Sequence, residues 1–367
     1  MGIWRFVIIG VSIVLVLSIL YLIARGRRIS IVKKISEKSK LLGALCGFWP
    51  VVICLPLLIK NLYAFVIALI HLCLIWALCD LIGFIIRKVR KKEKRESYIT
   101  GYIAVGITVC YLTVGWFFAH HVFRTEYTLK TAKELGADSL RIVAIADSHL
   151  GMTLDGDDFA EQCRRINEEK PDAVVVVGDF VDDESEREDM IKAAEALGSI
   201  ETTYGVFWVY GNHDRGYYRH RNFEAAELTE TLEKNGVKVL TDTAVPLGDN
   251  ICLIGRLDKS FGERKSASEL MQGIDSSKYV IMLDHQPNDY DAEATAGADL
   301  VISGHTHGGH IFPAGAIGLI TKSNDRIYGT ETRGETTFLV TSGISGWGIP
   351  FKTFAISEYV VIDIAGK

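Results

Sequence analysis

Proline is scarce in this chain, 7 of 367 residues. No proline- or serine-rich linker, internal repeat or low-complexity tract interrupts it. Loosely tethered modules are thereby excluded, and the length allows one large domain plus an appendage. Acidic residues are nearly missing from the first third: residues 1–123 hold 4 Asp+Glu against 16 Lys+Arg. Basic residues are short in the remainder, where 24 Lys+Arg face 41 Asp+Glu. Phosphate backbones call for basic surface, so no nucleic-acid partner is expected of so acidic a segment. Cysteine is equally uninformative as a framework. Cys46, Cys54, Cys73, Cys79 and Cys110 lie in apolar stretches, and Cys163 and Cys252 stand alone afterwards. Nothing in that spacing asks for a disulfide, and free thiols are expected.

What the first third does contain is apolar length. Ile3–Ala24, Leu41–Ile59, Leu62–Ile86 and Ile99–Val122 are each long enough for the ~20 helical residues that cross a hydrocarbon core. The first has no small-residue cleavage site before Arg25, so it reads as a helix rather than a removed signal. Pro50 and Pro56 in the second are tolerable where neighbouring helices satisfy freed carbonyls. Four transmembrane helices are therefore expected over residues 1–123, then a connection over 124–137 with Tyr127–Lys130 as an edge strand. The loops Arg25–Lys40 and Arg87–Arg95 are strongly basic, whereas the third connection has only Lys60. Positive loops stay cytoplasmic, which sends the rest of the chain to the extracytoplasmic face. The same loops suit anionic membrane lipids. His71 and Asp80 stand inside the third stretch and could mark a polar pathway; with no charged partner expected in the other helices, a position near the headgroups or a helix–helix hydrogen bond is the expectation. His120 and His121 read as an interfacial pair.

From residue 138 on, apolar β-branched runs end repeatedly in chemistry. Leu140–Ala146 stops at Asp147-Ser148-His149, and Ala173–Val177 at Gly178-Asp179-Phe180-Val181-Asp182. Val206–Tyr210 stops at Gly211-Asn212-His213-Asp214, and Tyr279–Leu283 at Asp284-His285. Ala298–Ile302 runs into Ser303-Gly304-His305-Thr306-His307-Gly308-Gly309-His310. Each run has the length and composition of a buried strand. Ligands of open α/β sheets bind at such strand ends. Helical patterns over 157–169, 186–197 and 223–235 separate the first strands, while Thr337–Val340 and Tyr359–Ile364 lack an intervening helix. Mixed sheets flanked by helices follow. Imidazoles and carboxylates without thiolate suit Mn, Fe or Zn.

Asp147-x-His149, Gly178-Asp179-x-x-Asp182, Gly211-Asn212-His213-Asp214, His285-x-Pro287 and Gly304-His305-Thr306-His307 together resemble the five motifs of the calcineurin-like binuclear metallophosphoesterases. The order matches, and the resemblance runs from about Leu140 to the C-terminus. Gly308-Gly309 and Val340–Pro350 are similar to the membrane-attached bacterial phosphodiesterase branch typified by YkuE and YaeI, which commonly has Gln at the place of His310. The resemblance implies a four-layer α/β/β/α sandwich over 138–367. It also implies two divalent metal ions, with Mn favoured, sharing Asp179. Asp147, His149 and His307 would hold one, and Asn212, His285 and His305 the other. His213 would serve the leaving group.

Asp214 either holds the His213 ring or serves a turn or helix cap. Asp182 either supports a ligand or caps the next helix, and Asp284 reads as structural. His310 can meet substrate or a ligand, lie at the surface or, least expected, ligate. The implied activity is hydrolysis of a phosphodiester or pyrophosphate by a hydroxide shared between the metals, with lipid-linked phosphate esters among the substrates to consider. A silent membrane-bound scaffold is the alternative, and retention of all seven ligand positions speaks against it.

Overall fold

The structure is a computed structural model that describes residues 2–91, 98–216, 221–312 and 314–366. Lys92, Lys94 and Arg95 of the second basic loop lie outside the described residues, as does Lys367. The chain divides into two compact units, Met1–Val114 and Gly115–Lys367.

The first unit holds helices α1 (Gly2–Gly26), α2 (Ser30–Lys38), α3 (Lys40–Cys46), α4 (Trp49–Val52) and α5 (Leu62–Val89), and most of α6 (Ile99–His120). Among the described residues three helices are long and apolar enough to cross a membrane, in α1, α5 and α6. Leu41–Ile59 is not the single helix its hydropathy suggests. It breaks into α3, α4 and a 3-10 turn at Leu55–Ile59, with Pro50 and Pro56 each in the first turn of a new segment. Proline supplies no N–H to the preceding turn, so each one ends a helix and starts another.

Arg25, at the end of α1, pairs with Asp80 at 3.0 Å, so α1 and α5 run parallel. Leu62 lies about 27 Å along the α5 axis from Asp80. The Trp49 ring sits 5.9 Å from that of Trp76, hence residues 49–61 return along α5 in irregular form. The absence of a charged partner for Asp80, expected from the sequence, is corrected here: Arg25 is that partner. Asp80 also accepts hydrogen bonds from Tyr21 at 3.0 Å, Tyr98 at 2.6 Å and Thr100 at 2.8 Å. His71 bonds the Ile67 carbonyl and stacks on Tyr111.

The second unit carries two mixed six-stranded sheets. In chain order its elements are β1 (Val122–Lys130), β2 (Ser139–Ile145), α7 (Gly156–Glu168), β3 (Ala173–Val177), α8 (Arg187–Gly198), β4 (Gly205–Val209) and α9 (Ala225–Lys234). There follow β5 (Lys238–Val239), β6 (Thr243–Leu247), β7 (Ile251–Gly255), α10 (Ala267–Leu270), β8 (Tyr279–Leu283), α11 (Tyr290–Ala296) and β9 (Leu300–Ser303). The chain closes with α12 (Ala314–Ile320), β10 (Gly329–Arg333), β11 (Thr336–Val340) and β12 (Ser357–Ala365).

One sheet has the order β1-β12-β2-β3-β4-β5 and the other β10-β11-β9-β8-β7-β6. The expected Tyr127–Lys130 strand is the second half of β1, on a sheet edge beside β12. Alternation along β2, β3 and β4 splits their side chains between two cores. Ile142, Val175 and Phe207 meet Leu253, Ile281 and Leu300 of the other sheet, whereas Val143, Val176 and Trp208 meet Phe159, Met190 and Leu228 of α7, α8 and α9. A third cluster joins Val280 and Val301 to Leu270 and Tyr290 of α10 and α11. Cys163 belongs to the α7 cluster and Cys252 to the α10 cluster; both are free.

Candidate metal centre

The C-terminal ends of β2, β3, β4, β8 and β9 converge, because these strands are parallel neighbours within their sheets. What leaves them is forced into an uncommon backbone. Asp147, His149, Asp179, His305, His307 and His310 all have φ between 37° and 70°. Non-glycine residues enter this region at a cost of about 1–3 kcal/mol, and they persist where surrounding structure over-determines them, typically at functional sites. Glycine makes the crowding possible. A Cβ on Gly178 would stand 2.6 Å from His285 Nδ1, and one on Gly343 2.7 Å from the Asp147 Cβ.

Two clusters result. Asp147, His149 and His307 bring ligand atoms within 4.8 Å of one another, and Asp179, His285 and His305 do the same. Asp179 links them: its Oδ2 is 3.1 Å from His285 Nε2 and 3.7 Å from His149 Nε2. Asn212, also buried, lies between Gly211, which packs on Asp179, and His213, whose N–H donates to Asp179 Oδ1 at 2.8 Å.

The outer bonds set the imidazoles. His285 Nδ1 meets the Val177 carbonyl at 2.8 Å, which leaves Nε2 unprotonated toward Asp179 when the ring is neutral. His307 Nδ1 lies 3.3 Å from the Ser345 carbonyl. The Nε2 atom of His149 is buried without a hydrogen-bond partner, an arrangement that is costly unless something else meets it. Burial pushes the Asp147 carboxyl up to about 6. Burial, then His285, holds His305 down at about 4. Burial also disfavours charge on His285, yet Asp179 beside it holds that ring well above its usual range. This donor set fits a pair of divalent cations.

Sequence comparison reaches the same place. Residues 140–309 match the family described as calcineurin-like phosphoesterase. An uncharacterized metallophosphoesterase of Aquifex aeolicus is 33% identical over 251 residues, which cover 66% of this chain and 91% of that protein. This chain belongs to the calcineurin-like metallophosphoesterases. An uncharacterized metallophosphoesterase, YkuE, of Bacillus subtilis is 26% identical over 75% of this chain and 98% of its own length. A transmembrane protein with metallophosphoesterase domain from Danio rerio is 30% identical over 60% of this chain. The present chain spans 52% of the zebrafish protein and 60% of two further bacterial relatives.

The remaining metallophosphoesterase residues divide plainly. Asp182 Oδ2 lies 3.4 Å from His149 Nδ1, and its other oxygen accepts the Glu184 N–H; the following helix starts from Glu186 without a side-chain cap. The Asp214 carboxylate accepts four backbone N–H groups, from Asp179, Phe180, Val181 and Gly211, at 2.7–3.1 Å. Asp284 is bound up with Arg256 and Arg264, the structural place expected for it. His310 is half-buried, stacked on His307 at 5.2 Å, and burial lowers it to about 3.

Two residues escaped the sequence reading. Trp347 lies 5.3 Å from the His213 ring and 6.4 Å from that of His149. Lys352, fully buried, donates to the carbonyls of Ser342 and Gly343 at 2.6 and 3.1 Å. It thereby holds the loop that presses on Asp147. Only the unusual burial of a lysine betrays that role, and sequence does not display burial.

Proposed function

We propose that this chain is a membrane-anchored, two-metal phosphoester hydrolase acting on phosphodiester or pyrophosphate links. The observation that carries the reading is the pair of clusters joined at Asp179, drawn from four strand ends and strained at Asp147, His149, Asp179, His305 and His307. Asp147, His149 and His307 would hold one cation and Asn212, His285 and His305 the other, with Asp179 available to both; Mn is favoured over Fe and Zn. Bound there, the cations neutralise phosphoryl oxygens and lower the pKa of water.

The protein's own groups do the rest. His213 is placed by its N–H bond to Asp179 and gives a proton to the departing oxygen. Asp182 keeps the His149 ring turned toward the centre. Asp214 holds the loops after β3 and β4 in register. Helix, sheet, sheet and helix layers, supported by the three core clusters, keep the five ends rigid.

Residues 49–61, returning along α5, support a membrane region crossed four times, and the basic loops support an extracytoplasmic hydrolase. Purified full-length protein with Mn²⁺ is to be assayed against bis-p-nitrophenyl phosphate, p-nitrophenyl phosphate and lipid-linked nucleotides. Two bound metals and diester or pyrophosphate turnover are expected. A protein that binds two metals and hydrolyses none of these is a scaffold. A reporter after Lys367 should read extracytoplasmic; a cytoplasmic reading overturns the orientation.

A further inference from the structure

The large apolar side chains that Gly115–Lys367 leaves exposed, among the described residues, gather in one region. They are Trp116 and Phe117 at the end of α6, Phe312, Leu319 and Ile320 around α12, and Trp347 and Phe354 in the loop before β12. Exposure is high, 79% for Ile320, 57% for Phe312 and 54% for Phe354. Hydrogen bonds join the segments. The Lys352 N–H donates to the Gly115 carbonyl at 2.9 Å, the Ser357 hydroxyl to that of Ala119 at 2.9 Å, and the Thr353 N–H to that of His310 at 2.9 Å. The Phe312 and Phe354 rings are 6.1 Å apart. One end of this surface is therefore a helix long and apolar enough to span a bilayer. The other end is Trp347, beside the His213 and His149 rings.

A contiguous apolar surface on an otherwise acidic domain marks an interaction site. Its position narrows the occupant. α6 finishes in stacked pairs, Trp116 on His120 and Phe117 on His121. Such amphipathic rings sit at the membrane–water boundary. β1 starts at Val122, directly afterwards, so loops bonded to the helix end stay at headgroup depth. A soluble partner would have to displace lipid there, whereas a lipid reaches the place by lateral diffusion.

The geometry points to a phosphoester substrate that resides in the bilayer, its hydrocarbon anchor lying over Phe312, Phe354 and α12 while its phosphorus enters beside Trp347. The inference rests on the hydrolase reading and names its substrate class.

The test uses full-length protein in nanodiscs with Mn²⁺. Its substrates are bis-p-nitrophenyl phosphate and two p-nitrophenyl phosphodiester lipids, one with six-carbon and one with eighteen-carbon acyl chains. Binding of the matching phosphonates, which are not hydrolysed, is measured alongside. Wild-type protein should favour the long chain at least tenfold in both turnover and binding. Ile320→Glu and Phe354→Ser should abolish that preference and leave turnover of the soluble diester within twofold. Equal handling of both chains by wild-type protein overturns the inference. So does a preference that survives both variants while the oligomeric state changes, since the surface would then join copies of the chain. Long-chain phosphonate binding without hydrolysis of any ester upholds the surface and sinks the hydrolase reading instead.

Discussion

Asp214→Asn tests whether that carboxylate serves the fold or the reaction. In the structure its Oδ2 accepts from Asp179 and Gly211 and its Oδ1 from Phe180 and Val181. An asparagine keeps one acceptor oxygen and turns an NH₂ toward two of these donors. Two buried N–H groups are orphaned, at about 1–3 kcal/mol each, or about 2–6 kcal/mol in all. Part of that is offset, because burial and the neighbouring Asp179 already oppose the charge and push the Asp214 carboxyl up to about 7. A net loss of about 2–4 kcal/mol remains, and for a domain of this size it lowers Tm by about 5–15 °C. Asp214→Ala orphans all four donors, which is of the order of the whole stability of a domain, so it should not accumulate folded. The assays are calorimetric unfolding of the purified protein and metal content by mass spectrometry. Asp214→Asn should unfold early and bind metal weakly, because Asp179 is no longer held. A variant with wild-type Tm and two metals but no turnover would refute the reasoning and place the carboxylate in the reaction.

Asp179→Asn should stay folded, lose affinity for both metals and lose nearly all hydrolysis; near-wild-type turnover would sink the two-metal centre. His213→Ala should keep both metals and lose about 10²–10⁴-fold in turnover. The loss should be smaller for nitrophenyl esters, which leave without a proton, and an equal loss for poor leaving groups would move His213 from proton donation to phosphoryl charge. His310→Gln should retain full metal content and most activity, read as a change in KM; loss of one metal equivalent would make it a ligand. Arg141 forms two hydrogen bonds to Asp363, whose carboxyl it holds below the usual range. A lowered folded pKa stabilises at pH above the unfolded value and is lost as pH falls through the folded one. Arg141→Gln should therefore cost about 0.5 kcal/mol near pH 7, and the part owed to Asp363 should fade as pH falls through the lowered Asp363 pKa, read by denaturant titration.

The two candidate clusters were legible because their parts are linear. A strand run and the ligand after it are neighbours in sequence, so β2, β3, β8 and β9 could be matched to Asp147, Asp179, His285 and His305 by eye. Asp214 was not legible, since a carboxylate after Asn-His looks the same whether it turns to a ring or to backbone 35 residues away. Hydropathy misread Leu41–Ile59 because it averages side chains and is blind to Pro50 and Pro56. The Arg25–Asp80 pair escaped for a related reason: Arg25 was counted in a loop, while the last turn of α1 keeps it among the helices. The β6–β7 hairpin and α10–α12 drew no reading, being short elements without chemistry at their ends.

The bonds at Asp80 make the membrane region interdependent. Its carboxylate is met by Tyr21 and Arg25 from α1, and by Tyr98 and Thr100 from the start of α6. A lone aspartate in the middle of an inserting helix costs about 2.5–3.5 kcal/mol, and α5 cannot recover that until both neighbours are present. A chain that had lost α1, or held only α1 to α5, would therefore leave the Asp80 carboxylate short of part of its partners. Anyone trimming the N-terminus for expression would be deleting the answer to that charge along with the anchor.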